Sequence, residues 1–191
     1  MDFLSYHFYA SGSAEDSDAY IYNRIYNGSS PMSGGLAKHT KDIRDILTAE
    51  SPKRSIGLWL DEYNISWSWN INDSRMRNVK GAVFDALAMI YAHKNGADAT
   101  MAWNEKDGTY GKIDSDNHLR VSAQVFHLFN SFLIGKQVVD KTSNEENIVS
   151  FAVKNADSKQ YATALVNRGA EDRVVQLSML NWKPADIVIS G

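Results

Sequence analysis

The sequence predicts an α/β fold in which a parallel sheet covered by helices is followed by a small antiparallel β segment. Three observations carry this expectation. The first is the run Ser55 to Trp69, SIGLWLDEYNISWSW, which is apolar until it meets two carboxylates and then aromatics. A strand apolar on both faces is what a helix-covered parallel sheet produces. The second is the order strand, helix, strand, helix, strand, helix through the first two thirds of the chain, which implies parallel strands with right-handed crossovers. The third is a switch beyond Gly135 from helical spacing to alternation by twos.

Taken in order, Phe3 to Tyr9 alternates so that Phe3, Ser5, His7 and Tyr9 share one face of a first strand. Ala10 to Pro31, rich in Ser, Gly, Asp, Asn and Tyr, predicts a long irregular segment with a short helix around Asp18 to Tyr26. From Ser33 the spacing of Leu36, Ile43, Ile46 and Leu47 predicts a helix that stops before Ser51-Pro52. In the second strand, counting by twos puts Ile56, Leu58, Leu60 and Glu62 on one face and Gly57, Trp59, Asp61 and Tyr63 on the other. This places Asp61 away from Glu62 and turns Leu58 and Leu60 to the inner side of the sheet. A loop with Trp67 and Trp69 leads into a helix over Arg75 to Lys94, stopped by Asn95-Gly96. Ala97 to Trp103 reads as a third strand and His118 to Leu133 as a further helix. The β segments expected beyond it are Gln137–Lys141, Ile148–Val153, Tyr161–Asn167, Val174–Met179 and Ile187–Ile189.

Composition narrows the function classes. A chain of 191 residues with 43% hydrophobic and 23% charged residues is ordinary for a globular protein and long enough to bury a core. A net charge of -3 gives no broad basic footprint, so neither nucleic acid nor an anionic membrane is expected as partner. With no cysteine there is no thiol nucleophile or zinc–cysteine site, and the histidines at 7, 39, 93, 118 and 127 lack metal-site spacing, so no metal or cofactor is expected. Asp114-Ser-Asp116-Asn117 begins like a calcium loop but lacks its later Gly and Glu.

Carboxyl ends of parallel strands are where such folds keep their chemistry. Read together, the three strand ends are His7-Phe-Tyr9, Asp61-Glu62-Tyr63-Asn64 and Trp103-Asn104. In this order they resemble the sixth, seventh and eighth strands of the (β/α)₈ barrel of clan A retaining glycoside hydrolases, closest in flavour to the family 39 xylosidases. GTYGKID, a helix and a β-rich tail also resemble how these enzymes continue after the last barrel strand.

The resemblance implies a partial TIM barrel over residues 1–135, holding the last three strand–helix units, and an incomplete β-sandwich over 136–191. It implies Glu62 as the catalytic nucleophile, with His7, Tyr9 and Trp103 binding a carbohydrate substrate; by side-chain chemistry Trp67 and Trp69 are either core residues or platforms for a sugar face, and Asn104, Glu105 and Asp107 either sugar ligands or a solvated loop. Retaining hydrolysis needs two carboxyl groups about 5 to 5.5 Å apart, one attacking the anomeric carbon and the other acting as acid and then base. The clan carries the acid/base on its fourth strand, and no residue of this sequence matches it. Met1 leads directly into strand-like DFLSYHFYA, so the chain is expected to be the C-terminal piece of a larger enzyme, its compartment left open. The rival expectation is a carbohydrate-binding or non-catalytic fragment that keeps aromatic platforms without turnover.

Overall fold

Three parallel strands carry the N-terminal two thirds of the chain in a computed structural model that describes residues 2–26, 35–69, 72–133, 137–139, 147–155 and 161–176. β1 (Phe3–Ser11), β2 (Gly57–Ser66) and β3 (Ala99–Ala102) lie side by side in that order. α1 (Asp18–Tyr26) and α2 (Leu36–Glu50) connect β1 to β2, α3 (Val79–Lys94) connects β2 to β3, and α4 (Val121–Phe132) follows β3. A second, antiparallel sheet holds the two-residue β4 (Gln137–Val138), β5 (Ile148–Lys154) and β6 (Tyr161–Asn167). The chain is therefore a mixed α/β protein with one parallel and one antiparallel sheet. Val174 to Gln176 form no strand, and the expected strand at Ile187–Ile189 lies outside the described residues.

The helices cover one face of the parallel sheet. Tyr6 hydrogen-bonds Thr40 of α2 at 2.5 Å, and its register partner Leu60, like Leu58, is fully buried in the core with Phe84, Leu87 and Ile90 of α3. This corrects the expected inward placement of Leu58 and Leu60: they face helices. The opposite face is sparsely covered. There Phe3 stacks on Trp59 with ring centroids 4.0 Å apart, and Phe3 and Met101 remain exposed. The strand looked apolar on both sides because Trp59 finds an aromatic partner across the sheet, without a second helical layer.

Local chemistry shifts two helix boundaries. The expected helix from Arg75 divides into a 3₁₀ turn (Ser74–Arg77) and α3, because Asp73 accepts from the Arg75 amide and Asn78, in extended conformation, caps α3 by accepting from Lys80 N at 2.9 Å. A Cβ at Gly81 would fall 2.4 Å from the Arg75 carbonyl, so a glycine is required where the turn crosses the helix. α4 begins at Val121 and not at His118, since the Asp114 carboxylate accepts from the Asp116 and His118 amides and holds that stretch as a turn.

Buried Arg75 fixes the top of the sheet. Its Nε donates to both Asp73 oxygens at 2.9 and 3.0 Å, while its terminal nitrogens reach the carbonyls of Ser13, Ala14 and Asp16 in the loop after β1. At the other end, Arg44 of α2 donates to the carbonyls of Ile56 and Gly96 and to Asp98, tying the starts of β2 and β3 together. Lys94 reaches Ser150 O at 2.9 Å, and Phe129, Phe151 and Val153 join the common core, which attaches the antiparallel sheet to α3 and α4.

Replacing Arg75 by Met leaves Asp73, 3% exposed, as an unpaired buried charge. Urea unfolding of Arg75→Met is expected to show a loss of about 3 to 5 kcal/mol, the usual cost of breaking a buried ion pair from one side.

Candidate active site

The site begins with a register shift. Tyr6 pairs with Leu60 but His7 pairs with Glu62, so Asp61 is an extra residue in β2 at the point where β1 has none. A bulge of this kind sets two residues against one and re-aims their side chains. The expected separation of Asp61 from Glu62 is thereby overturned: both approach the His7 ring, Asp61 Oδ1 at 3.4 Å from Nε2 and Glu62 Oε2 at 3.7 Å from Nδ1. Tyr63 returns to the helix-facing side and is fully buried.

Glu62 is held from its other oxygen. The Tyr9 hydroxyl donates to Oε1 at 2.5 Å, across two strands whose register is set by the bulge. Burial of Tyr9, and then the adjacent Glu62 charge, push the phenol well above its ordinary value, so it stays protonated and remains a donor. Asp61 Oδ1 is buried without a hydrogen-bond partner among the described residues.

Trp103 closes the same end of the sheet. Its amide donates to Tyr63 O at 2.9 Å, and its carbonyl accepts from the buried Asn64 side chain; the Trp103–Asn104 peptide bond is cis. Asn104 donates its amide to Asp107 at 2.9 Å, which leaves the buried Oδ1 without a partner among the described residues. Asp107 is occupied: it accepts from the amides of Thr109, Tyr110 and Gly111. Burial would raise its carboxyl, but the Gly111, Thr109 and Tyr110 amides outweigh that and hold it below the usual carboxylate range.

The two loop tryptophans part company. Trp67 lies against Gly12, where a Cβ would fall 2.3 Å from its Cζ2, and it stands five residues past Glu62, up to about 16 Å along extended chain. Trp69 meets Trp103 at 6.1 Å and Tyr110 at 5.2 Å between ring centroids, edge-to-face in both cases. Sequence reasoning weighed Trp69 as an aromatic platform without counting it among the site residues, and passed over Tyr110. The aromatic density of SWSWN was visible, but strand periodicity does not say which indole returns to the site.

Beneath the site, the Tyr63 hydroxyl lies beside fully buried Asp85, which pairs with Lys112 at 2.6 Å. Burial raises Tyr63 well above the ordinary phenol value, and the Asp85 charge adds to it. Elsewhere, Asp114, Asp116 and His118 bring ligand atoms within 4.8 Å of one another. They are largely exposed, and the Asp114 carboxylate already accepts two backbone amides, so the trio has no geometry reserved for a cation. A concavity lined by Arg44, Leu47 and Ser51 to Ile56 lies at the opposite end of the sheet and holds no cluster of reactive groups. Among the described residues, no helix is long and apolar enough to cross a membrane.

In comparisons with known proteins, no family model matches the chain and no curated protein matches it. The functional reading therefore rests on this geometry.

A phenol whose folded pKa is raised stabilises the fold fully below its unfolded value of about 10, and that contribution is lost as pH rises toward the folded value. Equilibrium unfolding above pH ~10 is therefore expected to show stability falling with pH. In Tyr63→Phe the slope should be shallower by about 1.4 kcal/mol per pH unit.

Proposed function

We propose that this chain carries the nucleophile side of a retaining glycosidase site, with Glu62 as the attacking carboxylate and a neutral glycan as substrate. The observation that carries the reading is the Tyr9–Glu62 hydrogen bond at the carboxyl end of a parallel sheet. Such ends hold the active sites of (β/α)₈ enzymes. The β1-β2-β3 order and intervening helices fit the last three units of that barrel, and the β4-β5-β6 sheet fits part of a following sandwich.

The two Glu62 oxygens have different roles. Oε1 is held by Tyr9, which fixes the carboxylate plane; Oε2, with His7 3.7 Å away, is the oxygen free to meet an anomeric carbon. The Tyr9 bond holds the carboxylate in one orientation, as a nucleophile requires. Retention also requires an acid/base carboxyl on the far side of the sugar. Asp61 does not suit that role, since it approaches the same imidazole as Glu62.

A second reading, a carbohydrate-binding segment without turnover, is favoured by the exposure of Trp67 and Trp69. A panel of 2-deoxy-2-fluoroglycosyl fluorides separates the two, because fluoride departs without an acid catalyst. Mass spectrometry is expected to find one glycosyl adduct per chain, on the peptide containing Glu62, and none on Glu62→Gln. An adduct that persists in Glu62→Gln would move the nucleophile elsewhere, and sugar binding without any adduct would favour the second reading.

A further inference from the structure

We infer that Trp69 is the wall of a subsite for a neutral pyranoside, standing at right angles to Trp103 beside Glu62; the inference rests on the glycosidase reading above. Trp69 is 66% exposed although its ring is braced from two sides, at 83° to Trp103 and 74° to Tyr110. Edge-to-face contacts fix a ring without covering it. Both braces are themselves immobilised. Trp103 is held through its amide and carbonyl by Tyr63 and Asn64, and Tyr110 is 1% exposed, its amide bound by Asp107.

The result is a rigid aromatic corner. A fixed, open indole presents an apolar face and an N–H donor that need no reordering to receive a ligand. The corner adjoins the Glu62 group through Trp103, whose amide binds the carbonyl of Tyr63, the residue after Glu62, and whose ring meets Trp69. A pyranose suits a right-angled corner: its C–H face can lie on one ring while its edge meets the other, and the indole N–H is a donor suited to a hydroxyl.

Charge selects a neutral sugar. Asp61 and Glu62 immediately precede Tyr63, to which Trp103 is bonded, and the cations of the surrounding loops are engaged elsewhere. Arg120 donates to the carbonyls of Asp107, Thr109 and Gly111, Lys112 to Asp85, Lys106 to Asn117 and Arg77 to Asn72. A uronate would meet the carboxylates of Asp61 and Glu62, and these four cations already have partners.

The test is calorimetric titration of the full chain with xylotriose, cellotriose and trigalacturonate at millimolar concentration. At least one neutral trisaccharide is expected to bind, and the acidic one at least about tenfold more weakly. Trp69→Ala should weaken the neutral sugar about tenfold or more, Trp69→Phe should retain most of the affinity, and Tyr20→Ala, an exposed aromatic on α1, should change nothing. Circular dichroism of each variant separates loss of binding from loss of fold, and Trp69→Phe decides the matter if Trp69→Ala unfolds. Equal binding of Trp69→Ala, equal binding of trigalacturonate, or no binding of any neutral probe would overturn the inference. Fluoride labelling distinguishes the two failures. Labelled Glu62 with Trp69-independent binding sinks the corner alone, whereas Trp69-dependent binding without labelling sinks the nucleophile.

Discussion

One extra residue in β2 decides what this protein presents at the end of its sheet. Without the shift between Leu60 and Tyr63, alternation would send Asp61 and Tyr63 to one side and Glu62 to the other. With it, Leu58, Leu60 and Tyr63 all reach the helix layer, while Asp61 and Glu62 both turn to His7. The bulge thus satisfies two demands that strict pleating sets against each other: continuous apolar contact with the helices, and a carboxylate group on the open face.

Holding carboxylates beside a sheet end requires that the surrounding loops stay in place, and their anchors are polar groups with filled valences. Arg75 binds Asp73 and three carbonyls of the loop after β1. Asp107 gathers three amides of the loop after β3, and Arg120 takes that loop's carbonyls. Each anchor satisfies backbone groups that would otherwise be costly to withdraw from water. Loops tied in this way can hold Trp103, Tyr110 and Trp69 in fixed relation to Glu62, which is the condition for a site to act without reorganising first.

The contrast between the two sheet faces gives the architecture its direction. Helices bury Tyr6, Phe8, Leu58 and Leu60, whereas Phe3 and Met101 on the other face stay exposed. The proposed barrel accounts for that asymmetry, because in a closed barrel the inner face is filled by side chains from the remaining strands.

The sequence by itself determined the alternation of elements. Apolar spacing in Leu36 to Glu50 and Val79 to Lys94 has the helical period, and β-branched and aromatic runs at Phe3 to Ser11 and Ile148 to Lys154 have the strand period. These are local properties, set by which residues share a face. It also made Glu62 stand out, because an apolar run ends there, whereas His7, Tyr9 and Trp103 were marked by the resemblance of the three strand ends. Tertiary structure decided the side each group takes and what it touches. The bulge depends on β1 and β2 pairing across more than fifty residues of chain, the helix break at Asn78 on Asp73 and Arg75 folding back, and the return of Trp69 on a ring 34 positions away. None of these is encoded in periodicity, since a side chain's direction at an irregular position is set by the partner that receives it.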